Sequence, residues 1–397
     1  MNWFDGGSRP AKRFAALALA LAALSGSRAW AGDPAPQSPP LTLSLAYQLD
    51  TVGTVRGGAE RGTDVLDNLT LSAFADLDRM AGWRGASAQF DLVNTGGDTP
   101  SVRAGALQGV DAIEVSAHRL RLYQAWIEQD LAGGRANLRV GFSDVSGEFA
   151  GADSAGLLLN PSFGMSPEFA ASGASAFPST SLGARLRLRP SENTYVQAAV
   201  VNARTGAPGD DGGADFSFDD GEVVMVEAGA TGRGKIALGA WRMTHRQYDL
   251  AEFDAAGDPL RRTAGGVYAL MEYPLTEGPV RAATGFLRAG LADGRTGPFR
   301  GSVQAGLLVT PAFAARPDSS LTVGVTYAAL GQAYREASIL AGGPALGRAE
   351  TVFEIAYSDQ LTSKLRLQPD LQFVRRPGAD GQVRDALVAA LRLELAF

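Results

Sequence analysis

The chain has 397 residues, 45% of them apolar and 20% charged, with a formal net charge of −6. That balance argues against a disordered chain, which needs low hydrophobicity with high net charge. No Cys and only two His (His118 and His245) exclude a disulfide scaffold, a thiolate-held zinc or iron–sulfur site and a thiol nucleophile, and leave little for His-based catalysis.

The first 31 residues read as an export signal. Lys12 and Arg13 are basic, Phe14 to Leu24 is unbroken apolar sequence, and Ala29-Trp30-Ala31 is a small-x-small cleavage site before Gly32. The apolar run has 11 residues, against about 20 for a spanning helix; an uncleaved anchor is the alternative. Removing residues 1–31 leaves 32 basic and 41 acidic residues, a net charge of −9. That balance argues against nucleic acid as a partner, because phosphate contacts need clustered Lys and Arg. Export without Cys fits a bacterial envelope protein.

Beyond residue 31 the recurring pattern is the two-residue period of a two-faced strand. Leu41, Leu43 and Leu45 alternate with Thr42, Ser44 and Ala46. Leu138, Val140 and Phe142 alternate with Arg139, Gly141 and Ser143, and Ala184, Leu186 and Leu188 with Arg185, Arg187 and Arg189. Leu321 to Tyr327, Leu365 to Phe373 and Leu387 to Phe397 repeat the pattern. Turn formers separate the runs at Asn94–Asp98, Gly133-Gly134, Gly209–Gly213, Asp293-Gly294 and Pro377–Gly381. This spacing predicts a long β-meander.

A soluble β-protein and a membrane barrel both alternate; the membrane barrel turns its apolar face to lipid and its polar face to the lumen. Three features favour the barrel: the export signal, rows of Arg with Gln, Asp or Glu on the polar face, and an apolar last strand ending on Phe397. Closure also removes the edges of so long a sheet. At about 20–25 residues per strand and connection, one domain over 32–397 gives roughly 14–18 strands, a size that keeps an aqueous channel. Residues 144–181 break the alternation, and a lumen-folded constriction is the natural place for such a segment.

The chain resembles the carbohydrate-selective porins of the OprB type. The resemblance runs in order through Arg61-Gly62 to Asn68-Leu69, Ala81-Gly-Trp83 with Gly85–Ser87, Leu107–Val110, Arg119–Gln129, Arg139–Gly141 and Gly147–Phe149. It continues through Leu158–Gly164, Pro167–Phe169, Phe177-Pro178, Leu182–Leu186, Glu350–Glu354, Leu367–Phe373 and Asp385 to Phe397. It implies an all-β, closed antiparallel barrel of 16 strands in the outer membrane, with passive uptake of mono- or oligosaccharides through a narrowed pore. Outer-membrane lipid is the other partner, a homotrimer a further implied assembly, and no cofactor is expected. Two departures bear on which sugar is taken: Gln124 stands where an acidic residue is expected, and the stretches around Gly206–Gly213 and Phe313–Ser320 match nothing in the family pattern.

A sugar needs donors and acceptors for its hydroxyls and a flat apolar face for its C–H groups. Arg brings five donors, and a carboxylate only acceptors. All but three of the 36 basic residues are Arg, through composition bias or a lining role. Arg139, Arg185 and Arg187 lie on polar faces flanking the irregular segment. Glu148, Asn160, Glu168 and Asp144 lie inside it, as eyelet acceptors or as ties holding it to the wall. If Gln124 and Glu128 face the lumen, so does Trp126, while Tyr123, Ala125 and Ile127 meet lipid; the alternative makes Trp126 part of an interfacial aromatic belt. Trp241 is a second stacking candidate, and His245 reads as a rim or lumen polar group. No G-x-S-x-G elbow and no phosphate loop occur, so a channel is expected rather than an enzyme. A general diffusion pore and a structural or adhesive surface barrel are the competing functions.

Overall fold

The computed structural model describes residues 39–115, 118–172, 177–203, 214–278 and 281–397. The export signal and the turns at Gly206–Gly213 lie outside them. The strands are β1 (Leu41–Gly58), β2 (Gly62–Asp76), β3 (Ala86–Gly96), β4 (Arg119–Leu131), β5 (Ala136–Ser143), β6 (Ser181–Ser191), β7 (Thr194–Asn202) and β8 (Glu222–Thr231). They continue as β9 (Lys235–Phe253), β10 (Pro259–Glu277), β11 (Ala282–Ala292), β12 (Phe299–Thr310), β13 (Ser320–Leu330), β14 (Ala349–Gln360), β15 (Leu365–Arg375) and β16 (Arg384–Ala396). Each pairs antiparallel with its chain neighbours, and β1 pairs with β16, so the sheet closes into a 16-strand barrel.

The alternation read from sequence is the two-sidedness of this wall. Leu43, Val140, Leu186, Leu188, Phe373 and Leu391 are exposed on the outside. Their neighbours Arg185, Gln372 and Arg392 point inward and are buried. With no water in the hydrocarbon layer, backbone groups must be paired within the wall, and a closed ladder achieves this.

Both ends of the barrel chain lie at one rim, with the tight turns at 132–135, 192–193, 232–234 and 361–364. The short helix α1 (Leu77–Ala81) connects β2 to β3 at that rim. The long connections 97–118, 144–180, 203–221 and 331–348 leave the opposite rim. Short turns face the periplasm in such barrels and long loops the exterior. The Asn94–Asp98 cluster therefore opens a long loop rather than a tight hairpin.

Two of these loops fold into the lumen. Loop 97–118 carries α2 (Pro100–Ala104), and the constriction segment carries α3 (Pro161–Gly164) and α4 (Pro167–Ala170). Val110, Ile113 and Leu159 pack against lumen-facing Val52, Leu66, Val352, Val374 and Val388. The upper half of β16 is therefore apolar on both faces: one meets lipid and the other a dry core inside the pore. Loop 331–348 carries a further helix, α5 (Gln332–Leu340), packed against β9.

Candidate functional site

A cluster of two cations and two carboxylates is built where β4, β5 and β6 meet the first turn of the constriction segment. Glu128, Arg139 and Arg185 are cross-strand neighbours on inward positions of those strands. Arg139 Nε donates to Glu128 Oε2 at 2.7 Å, and Arg185 reaches the same oxygen at 2.7 Å. Arg139 also donates to Glu148, and Arg185 Nε to Glu148 Oε2 at 2.5 Å. The two cations and two carboxylates thus alternate and cancel. Arg185 is the deeper pair member, fixed also by Asn137. The Arg139 side chain stays 18% exposed, against 6% for Arg185.

Trp126 lies beside this cluster. The Arg139 guanidinium sits 3.9 Å from its ring centroid, an arrangement contributing about 0.5–2 kcal/mol. Trp126 Nε1 donates to Gln124 Oε1 at 3.0 Å, and Gln124 donates to Asp91 at 2.8 Å. The inward register of Gln124, Trp126 and Glu128 is therefore the one adopted. Gly141, opposite Trp126, has φ of +135°, and a Cβ there would strike the Ala125 carbonyl. Only glycine fits beside the indole.

Tyr123 departs from expectation. β4 carries one extra residue opposite Asp91 and Leu92, and such a bulge re-aims a side chain. Tyr123 does not meet lipid: its hydroxyl donates to Asp144 Oδ2 at 2.9 Å and its ring packs edge-on against Phe177.

The remaining candidates do not join the cluster. Arg187, one step along β6, donates to Gln197 at 2.7 Å and lies over Tyr195. Asp144 accepts from Ser146 N at 2.8 Å and caps the start of the segment. Asn160 is fully buried, capping α3 through Ser162 N and donating to the Gly109 carbonyl. Glu168 is buried and accepts from Ser302 Oγ at 2.5 Å. Trp241 is 4% exposed and stacks on Phe169 of α4 at 5.0 Å, which leaves its ring buried under the segment rather than open to a sugar. Of the two readings offered for the loop residues, tying the segment to the wall describes Asp144 and Glu168, while the Asn160 side chain ties it to loop 97–118. His118 accepts from Gly97 N, and His245 is exposed on the outer extension of β9.

The wall residues that hold the segment were not singled out by sequence. Arg288 donates to the carbonyls of Ala150, Ser162, Phe163 and Gly164 and to Gln304. Glu227 accepts from Ala150 N, Tyr195, Tyr268 and Gln197. Glu272 takes Ser154, and Glu354 takes the amides of Leu159 and Asn160. Glu350 holds loop 97–118 through Leu107 N and Gln108 N. Their signal was strand parity: each occupies an inward position, where an ionisable residue needs a partner. In loop 97–118, Glu114 accepts from Ser101, and burial pushes its carboxyl up to about 7.

Residues 60–397 match the family described as carbohydrate-selective porin, OprB family. The chain belongs to this family. The porin is 22% identical to Porin B of Pseudomonas aeruginosa over 88% of this chain and 87% of that one. Its fold matches the high-pH structure of Pseudomonas putida OprB with a TM-score of 0.82 at 21% identity, covering 90% of this chain and 94% of that one. The low-pH structure of that protein matches with a TM-score of 0.58 at 17% identity, over 90% and 93% of the two chains. The chain is a sugar-selective outer-membrane channel, and its family and fold are those of channels rather than enzymes.

Proposed function

We propose that sugars cross this porin by exchanging water for the Arg139, Glu128, Glu148 and Trp126 surface. Arg185 holds that surface from behind and Arg187 receives the solute on the periplasmic side. The observation that supports this reading is the alternating pair of cations and carboxylates left partly exposed beside an indole, where the constriction segment meets the wall. A hydroxyl both donates and accepts, so it can bond a guanidinium and a carboxylate at once. An ion meets a cluster whose charges cancel and gains less. The ring's C–H face suits the indole. Each contact is modest, so the solute leaves as readily as it enters, as passive flux requires.

Export through residues 1–31, cleavage after Ala31 and a homotrimeric assembly, common among porins, belong to the same reading. Conductance in a planar bilayer tests it. Concentration-dependent block by glucose but not by amino acids is expected. Current insensitive to sugars would favour a general pore, and absence of current would overturn the channel reading.

A further inference from the structure

The outer surface of β9 to β13 carries a groove of about 710 Å³. Its floor is made of small side chains. Ala269 and Ala289 are cross-strand partners in one row, and Gly301 and Ala329 in the next. Leu291 and Tyr327 stand exposed beside them as walls. At the end nearest the long loops lies Arg300, also lining the groove. Arg300 is exposed, sits at a register break between β12 and β13, and has no hydrogen bond or ion pair among the described residues.

A lipid-facing wall does not ordinarily combine an indentation with an unpaired cation at its mouth. The combination is complementary to an amphiphile with an apolar tail and an anionic head. The long loops mark the outer leaflet side, where the lipid is a phosphorylated glycolipid. We propose that this groove binds an acyl chain of that glycolipid, with a lipid phosphate on Arg300. The site is separate from the sugar eyelet and rests only on the outer-membrane placement of the barrel.

Native mass spectrometry of the detergent-purified barrel tests it, with phosphorylated lipid A, its dephosphorylated form and phosphatidylglycerol as probes. One phosphorylated lipid A retained per chain is expected. Arg300→Gln should weaken retention about fivefold, the value of one cation at an anionic headgroup, and Ala269→Trp should abolish it. Both variants should keep the gel mobility of the folded barrel and the sugar block. Equal retention of the dephosphorylated lipid, a preference for phosphatidylglycerol, or binding unchanged in both folded variants would overturn the proposal. So would efficient cross-linking between copies through Ala289→Cys, made clean by the absence of any other cysteine, because a second copy would then cover the groove.

Discussion

Arg139 and Arg288 occupy the same kind of position, inward on a barrel strand, and do opposite things. Arg288 is 1% exposed, its donors taken up by four backbone carbonyls and Gln304. Arg139 faces two carboxylates and an indole and remains open. The difference lies in what each meets. Main-chain carbonyls at fixed positions hold a guanidinium as a clamp. Side-chain carboxylates balance its charge, yet each retains acceptor capacity for a passing hydroxyl. One wall of the lumen, from β8 round to β1, is thus committed to holding loops. The wall of β4 to β6 also holds the start of the segment, through Asp144 and Glu148, yet leaves Arg139 partly exposed.

Breaking the clamp should have the largest effect. Arg288→Met orphans buried carbonyls at about 1–3 kcal/mol each. The segment should leave the lumen, with single-channel conductance rising about twofold or more and sugar block disappearing as the constriction widens. Unchanged conductance would show that the other ties suffice. Changing the wall of β4 to β6 should be milder. Arg139→Ala should weaken glucose block about tenfold, equivalent to about 1.4 kcal/mol, with the barrel still folded and conductance close to wild type. Trp126→Leu removes only the ring face. About a threefold to tenfold loss of block follows from an aromatic contact of about 0.5–1.5 kcal/mol, and noise analysis of sugar-blocked current measures it.

The smallest expected effect is a pH response of loop 97–118. Glu114 has an ordinary value of 4.5 and is raised to about 7 by burial. Folding therefore favours its protonated form. The anchoring is fullest below pH 4.5 and weakens as pH rises towards 7. Amide exchange across residues 97–115 should quicken from about pH 5 to about pH 8 beyond the intrinsic base-catalysed rise, and Glu114→Gln should remove that excess.

The barrel was legible because its rule is local. A slip of one residue turns every apolar side chain of a strand to the wrong face, so a period of two leaves little room for error. Arg139 and Arg185 could therefore be assigned to polar faces from alternation alone, whereas the register of Tyr123–Gln129, and with it Glu128, stayed open. Trp241 shows the limit. Parity correctly turned it inward, but what covers an inward residue depends on a loop distant in sequence, here Phe169. Tyr123 failed for a related reason: one extra residue in β4 shifts the parity, and nothing in Arg119–Gln129 marks where a bulge falls. The plugging by loop 97–118 was missed because Val110 and Ile113 are too few to form a periodic pattern.

The seam between β1 and β16 has a consequence for how the molecule is made. Leu45 and Phe397 exchange two backbone hydrogen bonds across it, so the first strand waits for the last residues before its own edge is satisfied. A copy shortened within β16 would present two unpaired edges to the bilayer, each costly in hydrocarbon, and should be recognised as unfinished rather than as a slightly smaller pore.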